Sequence, residues 1–307
     1  MKKNKILVTG GAGFIGSHLV GSLIDGGYEV YVVDDLSKGN LKNLNKGANF
    51  LKLSIEGKEF LKQIEKIKPH TIYHLAAQSS ITESLKDPEK DFEINLFSTI
   101  DLLDKARKAK VRKVIFASSA AVFGRADKLP IEENYPKETI SYYGLTKLCS
   151  EYFFKNYSRQ YKLPYVCLRL ANVYGPRQDA KGEGGVIAIF ATNILRGKSL
   201  TIYGDGNQTR DFIYISDVVE AFIKSLGQPV IGEFNVGTSR ETSINDLAES
   251  FIKINGQSIQ KTYLRERFTE VKRSSLSSYK FHKATGYSPK VTLNEGLEKT
   301  LSYFKHI

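Results

Sequence analysis

Thr9-Gly10-Gly11-Ala12-Gly13-Phe14-Ile15-Gly16 is the stretch on which the fold turns. It satisfies Gly-x-Gly-x-x-Gly at Gly11, Gly13 and Gly16, and a wider spacing at Gly10, Gly13 and Gly16. Residues 5–9 before it are mostly apolar and predict a short strand. Residues 15–25 after it predict a helix, stopped by Gly26-Gly27. Strand, glycine turn and helix form the context in which such glycines hold a dinucleotide pyrophosphate. They let the main chain approach the ligand and leave helix N-terminal N–H groups facing its charge. Residues 29–34 predict a second strand ending on Asp34. A carboxylate there accepts bonds from ribose hydroxyls and repels a 2′-phosphate, which selects NAD over NADP.

Working outward, strand and helix keep alternating. Helices are expected at 60–67, where Lys68-Pro69 stops the run, and at 91–110 and 143–161; strands are expected at 71–76, 114–117 and 165–169. The helix at 91–110 rests on Phe92, Leu96, Ile100, Leu103 and Ala106 at helical spacing. Repeated βαβ units predict an α/β protein with a Rossmann-like, doubly wound parallel sheet, binding ligands at the carboxyl ends of its strands. After residue 172 the rhythm breaks into glycine-rich pieces and shorter elements. The expected division is 1–172 as the NAD-binding domain and 173–307 as mainly a smaller C-terminal α/β substrate lobe, with about 209–237 returning to the first domain.

Composition narrows the class. The 307 residues are 41% hydrophobic and 25% charged, as in a globular protein, and no apolar run approaches the ~20 residues that span a bilayer. No hydrophobic leader is expected ahead of the first strand. Cys149 and Cys167 are the two cysteines, too few for a disulfide framework, and a cytoplasmic location is expected. The net charge of +12 is spread along the chain, not gathered in a patch, which argues against a nucleic-acid binder and suits an anionic nucleotide substrate. The five histidines are scattered, so no metal site is expected.

The chemistry centres on Tyr143-Gly-Leu-Thr-Lys147. On a helix, residues at i and i+4 share a face. A tyrosine with its ordinary pKa near 10 is a poor base at neutral pH, and a neighbouring ammonium favours the phenolate. Lys147 supplies that ammonium and can also bond a nicotinamide ribose. Ser118 and Ser119 follow the strand at 114–117, at the end where chemistry is expected. A hydroxyl there can bond both a substrate oxygen and the tyrosine.

These motifs resemble those of the extended short-chain dehydrogenase/reductases, in their nucleotide-sugar epimerase/dehydratase family. The matching segments are TGGAGFIG at 9–16, VDDLS at 33–37, HLAAQ at 74–78, SSAAVFG at 118–124, YGLTK at 143–147, LRLANVYGPRQ at 168–178 and IYGDGNQTRDFIYISDVV at 202–219. The resemblance implies Ser119, Tyr143 and Lys147 as the catalytic residues. It implies an NAD site lined by Gly10, Gly13, Phe14, Ile15, Gly16, Asp34, Leu36, Ser37, Ser54, Ile55, Leu75, Ala76, Ala77, Asn95 and Ser118, together with Tyr143 and Lys147. The nucleotide sugar would be held by Ser119, Asn172, Val186, Tyr203, Arg210, Arg267 and Ser274. Arginines suit a diphosphate independently, because guanidinium forks give bidentate bonds. One departure is Ser54, which stands where the family usually has an acidic residue bonding the adenine amine; Phe123 in place of the usual tyrosine is a milder one.

Within the family, dehydratases and decarboxylases carry an acidic residue just before the Val-Tyr-Gly of the serine motif. Here Ala120-Ala121 occupies that place, and methyl groups cannot move protons. The segment resembles that of the UDP-sugar 4-epimerases. Ser274 aligns with a position where a large aromatic would restrict the sugar to glucose and galactose, so N-acetylated sugars are expected as well. The alternatives are a 4-epimerase of UDP-glucuronate or another nucleotide sugar, with Arg177 or Lys181 as extra cations, and a non-catalytic NAD-binding regulator. Helices 91–110 and 143–161 would pair across a two-fold in a homodimer.

Overall fold

The computed structural model describes residues 4–180, 185–227, 229–256, 258–266 and 271–306. Its strands are β1 (Lys5–Thr9), β2 (Glu29–Asp34), β3 (Asn49–Lys52), β4 (Thr71–His74), β5 (Lys113–Ser119), β6 (Tyr165–Leu170), β7 (Asn172–Tyr174), β8 (Leu200–Tyr203), β9 (Thr209–Arg210), β10 (Phe212–Tyr214), β11 (Gly232–Val236), β12 (Thr242–Ser243) and β13 (Lys261–Leu264). The helices are α1 (Phe14–Asp25), α2 (Lys58–Ile67), α3 (Ile81–Lys86), α4 (Pro88–Phe92), α5 (Ser98–Lys108), α6 (Tyr142–Tyr161), α7 (Val186–Leu195), α8 (Ile215–Gly227), α9 (Ile244–Asn255), α10 (Tyr279–Thr285) and α11 (Leu293–Lys305).

The central sheet has seven parallel strands in the order β11-β6-β5-β4-β1-β2-β3. Alternation of side chains along each strand splits the apolar residues between two cores. Ile6 and Val8 of β1 join Leu19, Val20 and Leu23 of α1 and Val218 and Phe222 of α8 on one face. Leu7 joins Phe60 and Ile64 of α2, Leu102 and Leu103 of α5 and Phe154 of α6 on the other. The order reverses at β1, which pairs with β2 on one side and β4 on the other. A crevice at the carboxyl ends of the strands is expected at such a switch point. Smaller two-stranded pairings, β10 with β7, β12 with β9 and β13 with β8, lie outside the main sheet.

Three elements depart from the sequence expectation. The strand expected to 117 runs through Ser119, so Ser118 and Ser119 are the last residues of β5 rather than residues after it. The strand expected at 71–76 stops at His74, because Leu75 and Ala76 turn to bond Thr9 on β1. The single helix expected at 91–110 is interrupted: α4 gives way to a π-helical turn at Glu93–Phe97 before α5 begins. The extra residue of a π turn rotates the helix face. Leu102 becomes fully buried, while Ile100, expected in the core, is only half-buried.

Candidate active site

The glycine turn is built as its spacing requires. Gly10 has φ of +69°, and a Cβ there would stand 2.7 Å from the main-chain nitrogen of Ala76. A Cβ on Gly16 would stand 2.1 Å from the carbonyl oxygen of Gly10. Both positions therefore need glycine for the turn to close against β4 and α1. Gly13 is the N-cap of α1 and caps it with no side chain, and the first turn holds no acidic residue. The N–H groups of Phe14, Ile15 and Gly16 precede the first intrahelical bond, from Ser17 N to Gly13 O, an arrangement that suits an anion.

Asp34, buried at the end of β2, fixes the rim of this turn. Its carboxylate accepts bonds from Ala12 N (2.9 Å) and Leu36 N (2.9 Å). Burial raises its pKa above the usual carboxylate range, and these backbone donors oppose the shift. Leu36 takes φ of +67° to make its bond. Ser37 is exposed and bonds Asp35. Ser54 Oγ donates to Glu56 at 2.9 Å, and Ile55 is buried beside it. Asn95 pins the 75–78 turn: Gln78 N donates to Asn95 Oδ1 (2.8 Å), and Asn95 Nδ2 donates to Gln78 O (2.9 Å). An uncapped helix terminus, an acceptor at the end of β2 and a half-buried Leu75–Ala77 wall together fit NAD.

Ser141 starts α6 by accepting a bond from Gly144 N at 3.1 Å. The first turn then carries Tyr143, and the next carries Lys147, which is buried with its Nζ 5.8 Å from the Tyr143 ring centre and 4.6 Å from that of Phe116. Ser119, the last residue of β5, faces the Tyr143 phenol, whose pKa it lowers, and accepts from Ala121 N. The sequence pairs Tyr143 with an ammonium that favours its anion, but burial outweighs that pairing. Desolvation pushes Tyr143 up to about 12, with the Ser119 bond opposing it and the Asp91 carboxylate adding to it. Desolvation likewise lowers Lys147 to about 8, against the opposing pull of Asp91.

Ser118, grouped with the cofactor residues on sequence grounds, turns its hydroxyl inward to Glu151 at 2.6 Å. Asn172 opens β7 and is exposed; Val186, Tyr203 and Ser274 are half-buried. Arg210 donates from Nη1 to Thr209 O (2.8 Å) and Val271 O (2.6 Å), so it ties β9 to the segment leading to Ser274. Arg177 donates to Ser17 Oγ on α1 at 3.3 Å. Arg267 and Lys181 lie outside the described residues. Asp91, Gln78 and Thr146, none of them a sequence candidate, meet Asn95 beneath Tyr143 and Lys147. Their separation along the chain hides them, and the one local sign is a threonine directly before Lys147.

A parallel sheet with a pyrophosphate turn at its switch point, and a tyrosine–lysine–serine set beyond β4 with its lysine buried, define a nicotinamide-dependent enzyme of the short-chain dehydrogenase/reductase type. Residues 6–237 match the model of the NAD dependent epimerase/dehydratase family, and the chain belongs to that family. It is 40% identical over 304 residues to a putative UDP-glucose 4-epimerase of Methanocaldococcus jannaschii, spanning 98% of each chain. The solved UDP-glucose 4-epimerase of Thermotoga maritima with UDP-glucose superimposes with a TM-score of 0.96 at 41% identity, over 98% of this chain and 99% of that one. The UDP-N-acetylglucosamine 4-epimerase of Methanobrevibacter ruminantium superimposes with a TM-score of 0.94 at 34% identity, over 99% of each chain. The protein is thus an NAD-dependent epimerase by family. Among the described residues, no helix is long and apolar enough to cross a membrane.

Proposed function

We propose that this enzyme interconverts the gluco and galacto configurations of UDP-sugars at C4, on UDP-N-acetylglucosamine and UDP-N-acetylgalactosamine as well as UDP-glucose and UDP-galactose. The observation that carries the reading is the half-buried phenol of Tyr143, facing Ser119 beside a turn of Ala120 and Ala121 that offers methyl groups where elimination would need an acid. NAD, when bound, would supply a reversible hydride acceptor for C4, so that a 4-keto sugar can be reduced again on its opposite face. Tyr143 accepts the C4 hydroxyl proton and later gives it back. Ser119 orients both oxygens, and Lys147 stabilises the phenolate. Asn172, Val186, Tyr203, Arg210, Arg267 and Ser274 are assigned to the nucleotide sugar, with the cofactor residues as given above. Arg210 spans two segments of the 173–307 lobe, and that connection supports a firm diphosphate grip on a sugar left free to turn.

A coupled assay over UDP-glucose, UDP-galactose, UDP-N-acetylglucosamine and UDP-glucuronate tests this. Turnover of the first three is expected. Turnover of UDP-glucose without UDP-N-acetylglucosamine refutes the argument from Ser274, and turnover of UDP-glucuronate alone supports the other 4-epimerase reading. Arg177, one of the two cations that reading would use, donates to Ser17 on α1, and Lys181, the other, lies outside the described residues. No turnover with NAD bound would leave a regulator.

The same reading includes a homodimer in a reducing, cytoplasmic setting. Phe97, at the junction into α5, is 57% exposed, and Tyr152 on α6 is 54% exposed, a cost in water that pairing these helices across a two-fold removes. Phe97→Asp with Tyr152→Asp is expected to halve the mass seen by light scattering. An unchanged mass would show that the dimer, if formed, lies elsewhere.

A further inference from the structure

Asp91 is fully buried at the end of α4, directly before the π-helical turn. Its Oδ1 accepts from Gln78 Nε2 (2.8 Å) and Asn95 Nδ2 (3.1 Å), and its Oδ2 accepts from Thr146 Oγ1 (2.8 Å). All three donors are neutral. A buried carboxylate whose bonded donors are all neutral is costly unless an opposite charge stands nearby.

The groups around Lys147 identify what balances it. Two carboxylates act on Lys147: Asp91 from α4 and Glu151 from its own helix. Glu151 is already matched. Arg169 on β6 grips it through Nε (2.9 and 3.2 Å) and Nη2 (2.7 Å), and Ser118 adds a third donor. Cys167 on β6 is buried, with its thiol held well above its ordinary pKa and so neutral. His74 on β4 is pushed down to about 3 by burial and is also neutral; it bonds Thr9 and Thr99. Phe116 offers a ring face, and Tyr143 a phenol that burial keeps protonated. Asp91 is the carboxylate left to offset the Lys147 ammonium, and it is tied to Thr146, the residue directly before Lys147 on α6.

The geometry points to Asp91 as a positioning residue for the acid/base pair: it is the fixed counter-charge of Lys147 and the hub that holds Gln78, Asn95 and Thr146 beneath Tyr143. This rests on the proposed roles of Tyr143 and Lys147. The hub joins the turn after β4, the π-helical turn and the first turns of α6, so it sets where the phenol stands relative to the cofactor wall. It also explains the interruption of the helix. Asn95 is turned inward, where it reaches Asp91 one helical turn back and Gln78 on the neighbouring turn.

Asp91→Asn keeps the shape and loses the charge, and the Thr146 hydroxyl, which now donates to Asp91, can instead accept from the new amide and donate to Tyr143 O, 3.0 Å away. In NAD-loaded protein carrying side-chain 15N-lysine, with the Lys147 signal assigned through Lys147→Arg, the Lys147 midpoint is expected to fall by about one pH unit or more in Asp91→Asn. That is a tenfold loss of ammonium on the alkaline side, and the alkaline limb of the turnover profile moves down by the same amount. Thr146→Val removes a bond but keeps the charge, and it is expected to lower turnover without moving the midpoint. An unmoved midpoint in folded Asp91→Asn, or equal shifts in both variants, overturns the proposal. If Asp91→Asn does not fold, Asp91→Glu, which keeps the charge, decides: a Lys147 midpoint left in place supports the proposal, and one that falls by a pH unit or more overturns it. The Lys147 resonance reads Asp91 even if no UDP-sugar is turned over, so a failure of the functional reading stays distinct.

Discussion

Tyr143→Phe is expected to lower epimerisation of UDP-glucose by about 10²–10⁴-fold while leaving NAD bound, since it deletes one hydroxyl and keeps the ring. NAD retention is read by absorbance after gel filtration, and turnover by the coupled assay. The wild-type pH profile completes the test. Burial holds Tyr143 up at about 12 and Lys147 down at about 8. As pH rises, the phenolate fraction grows, but above about 8 Lys147 loses the proton whose charge stabilises that phenolate. Turnover should climb through neutrality and bend over on the alkaline side, and the bend should vanish in Lys147→Met along with most of the rate. Wild-type turnover by Tyr143→Phe would refute the assignment of the base. A profile that keeps climbing well past pH 9 would refute the role of Lys147.

That profile also marks where reading the sequence stops. The glycine turn, the strand ending on Asp34 and the Tyr143–Lys147 pairing were legible because each is local: a backbone conformation, a period of two, a shared helix face. The parallel sheet followed from the same short-range rhythm. The direction of the Tyr143 shift was not legible, because it is set by how completely neighbouring elements bury the phenol. The Asp91 hub was hidden for a related reason. Its partners come from three elements, and the apolar spacing at 92, 96, 100, 103 and 106 reads as one helix unless the π-helical turn is known. The bond from the Ser118 hydroxyl to Glu151 was hidden in the same way, since Glu151 lies 33 residues on, in another element.

Arg169→Met is expected to destabilise the protein by about 3–5 kcal/mol, because it strands Glu151 as an uncompensated buried carboxylate. Both side chains are 3% exposed, and Arg169 also donates to Glu133 O at 3.1 Å and stacks on Phe123 at 5.0 Å. The methionine restores packing volume but none of these bonds. Urea unfolding followed by circular dichroism measures the loss as a lower midpoint at unchanged slope. Arg169→Met with Glu151→Leu removes both charges and should recover most of it, since an ion pair that is costly to break is often worth little beside apolar residues of similar size. If the double variant is no more stable than the single one, the bonds to Glu133 and Ser118, not the ion pair, hold this part of the core. The single variant also separates structure from chemistry. With Arg169 gone, Glu151 faces Lys147 without its partner, and a second unmatched carboxylate favours the ammonium. The alkaline limb of whatever activity survives should therefore move up, opposite to its shift in Asp91→Asn. A shift in the same direction in both variants would mean that the limb reports loosened packing around Lys147 and not the charges that face it.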